Sequence, residues 1–298
     1  MIVYNINHHP EEQILEIEDS TSKTYAKIHL NQGASLQELT LNGQQIIQNL
    51  RPLIYENTFA SAILFPFANR IKDGQYTFND QDYQFDINQK QENNALHGLI
   101  YNKRFDISDT EVSKHKASVV LKFKEDNESN GFPYTYQIQL KYTISHQGLN
   151  LDFSVKNTSS KIFPFTVGWH PYFVCEDLDQ SILQFDSTKK IIIGERNIGT
   201  GIETIKPVKN FKLKHQQLDD CWVLNSGDVY FKTPGYELKI ASDGDNNFMQ
   251  VYTPPFENII AIEPTTGVSD SFNNKIGLQV LEPNNQFSIS WSLQLNLK

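Results

Sequence analysis

The feature that most constrains this chain is a two-residue hydrophobic period. Tyr136, Ile138, Leu140, Tyr142 and Ile144 alternate with Gln137, Gln139, Lys141 and Thr143. After His146-Gln147-Gly148 the alternation resumes as Leu149, Leu151, Phe153 and Val155, with Asn150, Asp152, Ser154 and Lys156 between. Successive side chains of a strand point to opposite faces, so each segment has one apolar and one polar face. A short connection containing glycine joins the two as a hairpin. The C-terminus repeats the pattern, with Phe287, Ile289, Trp291, Leu293, Leu295 and Leu297 alternating with Ser288, Ser290, Ser292, Gln294 and Asn296. Tyr76-Thr77-Phe78 and Tyr83-Gln84-Phe85 flank a polar turn at Asn79-Asp80-Gln81-Asp82, and Val119, Leu121 and Phe123 mark a further strand. No stretch keeps helical apolar spacing for a dozen residues. The expected fold is all-β, a large antiparallel β-sandwich with few helices.

A chain of 298 residues can bury a sizeable core. No internal repeat, low-complexity tract or Pro/Gly/Ser linker divides it, so one domain spanning 1–298 is expected. The net charge of −9 argues against a nucleic-acid partner, which needs clustered Lys and Arg, and against an anionic membrane surface. Cys175 and Cys221 are too few for a disulfide framework and lack the paired spacing of a structural zinc site. They read as buried, reduced thiols. The first nine residues turn polar at once, without the basic start and apolar stretch of a secretory leader, and no run approaches 18 apolar residues. The cytoplasm is the expected location.

Four segments carry residues suited to chemistry. In Phe65-Pro66-Phe67-Ala68-Asn69-Arg70, Arg70 is one of four arginines, and its fork of donors suits vicinal hydroxyls or a carboxylate. In Ala95-Leu96-His97-Gly98, an imidazole precedes a glycine at a strand end or turn. In Gly168-Trp169-His170-Pro171-Tyr172-Phe173, a histidine sits among aromatic residues. Burial lowers an imidazole pKa and a neighbouring carboxylate raises it, so such a group can be tuned. In Ala261-Ile262-Glu263-Pro264, a carboxylate ends a buried-looking apolar run. Taken singly, each has an ordinary structural reading: a surface ion pair, a hydrogen-bonded loop histidine, a core histidine, a strand-end glutamate.

Taken in this order, the segments resemble the aldose 1-epimerase family, also called galactose mutarotases. Asn69-Arg70 with Gly74, Leu96-His97-Gly98, Gly168-Trp169-His170-Pro171-Tyr172-Phe173 and Glu263-Pro264 carry the resemblance. Gly131-Phe132-Pro133-Tyr134 before a strand is similar to a further family element. The resemblance implies opening of a sugar's hemiacetal ring and reclosure on the other face. It implies Glu263 as the base at the C1 hydroxyl, His170 as the acid at the ring oxygen, and His97 as a second histidine beside that oxygen. It further implies Arg70, with Asn69, as a holder of sugar hydroxyls. Asp219 in Asp219-Asp220-Cys221-Trp222 matches a substrate-binding aspartate, with Asp220 adjacent as an alternative. The implied partner is a small sugar. No nucleic acid, membrane, metal or organic cofactor is implied, and the chain would be a monomer or homodimer. Trp169, Tyr172 and Phe173 are candidates to face the sugar's C–H surface.

The run Thr265-Thr266-Gly267 after Glu263-Pro264 departs from the Gln and Pro-Asp of many members, which bears on sugar preference. The related hexose-6-phosphate 1-epimerases need a basic phosphate clamp; here only Lys103 and Arg104, close after His97, offer one. A non-catalytic carbohydrate-binding sandwich would keep Arg70 and the aromatics without needing both His170 and Glu263. A glycoside hydrolase would use two carboxylates flanking the bond, where this pattern has one carboxylate and two histidines.

Overall fold

The alternating segments form the strands expected of them. Tyr136–Ser145 and Gly148–Asn157 pair as an antiparallel hairpin, and Gln286–Leu297 pairs with the outer edge of the second strand. Lys116–Glu125 adds to the first strand, so four long strands lie side by side. Their apolar faces, including Leu140, Tyr142, Leu151, Phe153, Ile289 and Trp291, enter a core that reaches from Tyr4 to Leu295 along the chain. Each fully buried Leu, Ile or Phe contributes about 1.5–3 kcal/mol of transfer free energy, so this face is a principal source of stability.

This is a computed structural model, and it describes residues 4–127 and 129–298. Met1, Ile2 and Val3, at the head of the segment expected not to be a leader, lie outside the described residues, as does Glu128. Among the described residues, twenty strands join into one continuous sheet, with three two-stranded ladders beside it. Helix among the described residues is confined to the four-residue pieces Tyr55–Thr58 and Ser271–Asn274 and a 3₁₀ turn, Glu195–Asn197. None of these is long and apolar enough to cross a membrane.

Two local expectations need correcting. The hairpin turn near residue 80 is two residues long, not four: Gln81 and Asp82 already belong to the second strand, paired with Phe78 and Thr77. Asn79 and Asp80 have φ of 51° and 59°, the pair of left-handed conformations that a type I′ hairpin uses and that Asn and Asp tolerate. Glu263 is not at a strand end either. Ile259–Thr265 is one strand, buried along its whole length, with Glu263 inside it. Of the two free thiols, Cys221 is buried as expected, but Cys175 is only partly so.

Opposite the four long strands lies a second set. Asp219–Leu224 pairs with Phe248–Tyr252, which pairs with Ile259–Thr265. The next neighbours are the short strands Gly168–Trp169 and Tyr172–Val174. Trp222, Met249, Val251, Ile260, Ile262, Trp169 and Phe173 turn one face of this set into the core. The alternate residues form the other face, and the candidate site is built there.

Candidate active site

The register of these strands assembles the site. Gln250 lies opposite both Cys221 and Glu263. Gly168 pairs with Thr265 and Tyr172 with Ala261, a single register that sets His170 opposite Glu263. One row across the sheet therefore reads Cys221, Gln250, Glu263, His170. The next row, two residues along, reads Asp219, Tyr252, Ala261, Tyr172. Directly opposed residues share a face, so the two rows make one polar patch on an otherwise apolar sheet. Strict alternation also explains why Trp169 and Phe173 are absent from it. Both are fully buried, with Trp169 stacked on Trp291 and Phe173 packed near Phe231, so neither can face a sugar. Of the three aromatic candidates only Tyr172 borders the site, with its ring 5.0 Å from His170.

Gly168 and Pro171 bracket His170 for different reasons. A Cβ on Gly168 would lie 2.7 Å from the Thr265 side chain, so only glycine lets the strands approach this closely. Pro171 carries no N–H and interrupts the ladder between the two short strands. The backbone of His170 turns instead to the neighbouring segment, its N–H donating to the Ala62 carbonyl and its carbonyl accepting from Ser61. The imidazole Nε2 then sits 3.3 Å from Glu263 Oε1, and both side chains are almost wholly buried.

Arg70 and His97 come from a separate ladder that roofs this patch, in which Arg70 pairs with Leu96. His97 has φ of 62° and Gly98 of 77°, so the chain turns sharply just after the strand. A Cβ on Gly98 would stand 2.2 Å from the Phe65 carbonyl oxygen, which accounts for the glycine in Leu-His-Gly. The turn puts the His97 ring perpendicular to His170, with centroids 5.0 Å apart, and against Phe59 at 4.8 Å. Asn69 ties this ladder together: its carbonyl accepts the His97 N–H, and its side-chain oxygen accepts Arg70 Nη1 at 2.8 Å. Arg70 Nη2 lies 3.6 Å from Asp219 Oδ2, and Gln250 donates to Asp219 Oδ1 at 2.6 Å. Asp220 points elsewhere, pairing with Lys190 at 2.6 Å, so the neighbouring aspartates are distinguished.

Burial governs the charges. Glu263 is pushed well above the usual carboxylate range, first by desolvation and then by Asp219, with Arg70 opposing. Asp219 is raised for the same leading reason, with Arg70 again opposing. His170 is lowered to about 4, chiefly by burial, with a backbone hydrogen bond opposing and the Arg70 charge adding to the effect. His97 falls well below the usual imidazole value through burial, His170 and Arg70. At the buried Glu263, His170 and His97, desolvation sets each group against its charged form.

The structure thus brings Glu263, His170, His97, Arg70, Asn69 and Asp219 into one place. Three neighbours were missed. Gln250 and Tyr252 belong to Phe248-Met249-Gln250-Val251-Tyr252, where one amide in an apolar strand was the available signal. Glu92 contacts Arg70 Nε at 3.1 Å but comes from a polar stretch with no pattern to mark it. The basic pair considered for a phosphate lies elsewhere: Lys103 faces Glu125 at 3.6 Å, and the exposed Arg104 faces Asp106 at 3.5 Å.

The sequence profile of the aldose 1-epimerase family matches residues 15–294. The chain belongs to the aldose 1-epimerase family. Among its relatives is the uncharacterized protein YihR of Escherichia coli K12, 25% identical over 269 residues, which are 84% of this chain and 83% of that protein. Its fold matches the crystal structure of a galactose mutarotase-like protein from Clostridium acetobutylicum, with a TM-score of 0.86, 21% identity, and 100% and 99% of the two chains covered. It also matches galactose 1-epimerase from Lactobacillus acidophilus, with a TM-score of 0.81, 16% identity, and the same coverage. At these identities the likeness establishes the mutarotase-like fold of this epimerase-family chain, an isomerase family built on a β-sandwich.

Proposed function

We propose that the protein interconverts the α and β anomers of a free aldohexose by acid–base ring opening and closure. The observation that carries this reading is the buried contact between Glu263 Oε1 and His170 Nε2, 3.3 Å apart within one row of side chains. The reaction needs one proton removed from the C1 hydroxyl and one delivered to the ring oxygen, by groups that flank the anomeric carbon. Glu263 takes the hydroxyl proton, the C1–O5 bond breaks to leave an aldehyde, and His170 protonates O5. Rotation about C1–C2 presents the other face of the carbonyl. Closure runs the same steps in reverse.

In this scheme the pair always holds one proton. It begins as carboxylate and imidazolium and becomes carboxylic acid and neutral imidazole when the ring opens. Burial opposes both charges at the start, so it favours moving the proton from His170 to Glu263 by way of the sugar. Arg70, Asp219 and Gln250 meet hydroxyls, and His97 stands beside the developing charge on O5. Nothing in this sequence of steps calls for oxidation, a covalent intermediate, or a cofactor.

The test is optical rotation or NMR of freshly dissolved α-glucose and α-galactose, with and without protein. Acceleration of the approach to anomeric equilibrium is the expected result. Sugar binding without acceleration would transfer the protein to the non-catalytic carbohydrate-binding reading.

A further inference from the structure

Arg70 is the one guanidinium in the site, and its donors are largely committed to protein groups. Nε donates to Glu92 Oε2 at 3.1 Å and to Gln89 Oε1 at 3.2 Å. Nη1 donates to Asn69 at 2.8 Å, and Nη2 approaches Asp219 at 3.6 Å. Two carboxylates therefore face a single cation. Two other cations carried by segments that border the site are also engaged, Lys190 on Asp220 at 2.6 Å and Arg196 on Asp73 at 3.0 Å. An anionic substituent arriving at Arg70 would have to displace a carboxylate or sit against two of them. A neutral hydroxyl can accept from Arg70 and donate to Asp219 or Glu92 without such a conflict.

Glu92 is held there by dedicated contacts. Asn197 donates to its Oε1 at 2.9 Å. Arg196 Nε donates to its backbone carbonyl at 2.6 Å, while Arg196 Nη2 reaches the Asn93 carbonyl at 2.7 Å and Asn94 Oδ1 at 2.8 Å. Arg196 and Asn197 both adopt left-handed backbone, with φ of 59° and 57°, and so aim these donors from the 3₁₀ turn at the segment carrying Glu92. A solvated surface glutamate has no need of such a clamp.

We propose that Glu92 is a specificity-determining residue. It orients Arg70 and adds negative charge beside it, so that the site accepts uncharged sugars and rejects those bearing a carboxylate or phosphate near Arg70. The inference rests on the epimerase reading for the identity of the ligand. Glu92 is partly exposed, so its field is screened, and removing it would relieve an incoming anion by roughly tenfold in affinity.

The experiment compares the parent with Glu92→Gln, which keeps the shape and an acceptor oxygen while losing the charge. Affinities for glucose, glucuronate and glucose 6-phosphate are measured by calorimetric or NMR titration, alongside anomer exchange rates. In the parent, glucose should bind better than either anion, and rising salt should narrow the gap. In Glu92→Gln the preference for glucose over glucuronate should fall about tenfold. Asn197→Ala, which loosens the clamp but keeps the charge, should weaken glucose binding several-fold and leave that preference intact. A folded Glu92→Gln with unchanged preference overturns the proposal, as does a parent that binds the anions as well as glucose or binds none of the sugars. Were Glu92→Gln unable to fold, a parent preference insensitive to salt would overturn it equally. Failure of the epimerase reading shows separately, as binding with no acceleration of exchange, and leaves the affinity ratios standing as the test of Glu92.

Discussion

At the scale of single residues, Glu263 and His170 differ from their counterparts in water because desolvation shifts them in opposite directions. Glu263 is raised and His170 lowered to about 4, so the pair with one proton persists across a wide pH range between the two. The shifts place that proton on Glu263, the arrangement from which ring closure proceeds, and opening proceeds from the same one-proton pair with the proton on His170. The value of kcat/KM should therefore fall on the acid side near pH 4, where the pair takes a second proton. It should fall again on the alkaline side, above the ordinary carboxylate value, where the pair loses its last. A pH–rate profile checks both limbs; a profile that is flat through the neutral and alkaline range would contradict the assignment. Replacing Glu263 by Gln or His170 by Asn should lower exchange by about 10²-fold or more, the usual scale for acid–base groups. Sugar affinity should change much less, because Arg70, Asp219 and Gln250 remain. Melting curves on the same variants separate catalytic loss from unfolding, since His170 is packed against Tyr172 and His97.

At the scale of elements, the site depends on turns and register more than on any one strand. The Leu96-His97-Gly98 turn is the clearest case. Gly98→Ala would force a methyl against the Phe65 carbonyl and strain a backbone at φ of 77°. It should cost about 2–4 kcal/mol of stability and displace His97, so thermal denaturation and exchange rate should fall together. The same scale shows what sequence could and could not reveal. Long strands such as Tyr136–Ser145 were legible because one face meets the core and the other meets water, which writes a clean alternation. Ile259–Thr265 is buried on both faces, so it reads as an apolar run with no visible phase, and Glu263 looked terminal. Without the phase, Trp169 and Phe173 could not be told apart from Tyr172, although alternation puts them on opposite sides of the sheet. Gln250 was hidden by its apolar neighbours and Glu92 by its polar ones. Both are placed by contacts between segments distant in sequence, Gln250 with Asp219 and Glu92 with Arg70.

At the scale of the whole molecule, an almost helix-free sheet should give a far-ultraviolet spectrum dominated by strand, and a helical spectrum would contradict the fold. Stability against pH is a further property of the whole chain. His97 and His170 are both lowered, but Glu263 and Asp219 beside them are raised. Within the site these shifts oppose each other as pH falls. His29 lies outside it, buried on the strand Thr24–His29, and is lowered to about 4 by desolvation, with Lys27 and Arg51 adding to the effect. Its Nε2 has no hydrogen-bond partner to stabilise a proton. The folded state therefore binds fewer protons at His29 than the unfolded chain does between the ordinary value of 6.5 and about 4. Where the unfolded state binds more protons, stability rises with pH, so the contribution of His29 is complete above 6.5 and is lost as pH falls toward 4. Allowing for partial solvent access, the loss should be about 2 kcal/mol. His29→Phe keeps the bulk and removes the titration. Urea denaturation of parent and variant at pH 7 and pH 4.5 should show the parent losing more stability between the two conditions, with the difference near that figure. Equal losses in the two proteins would mean that His29 accepts its proton in the folded state as readily as in water.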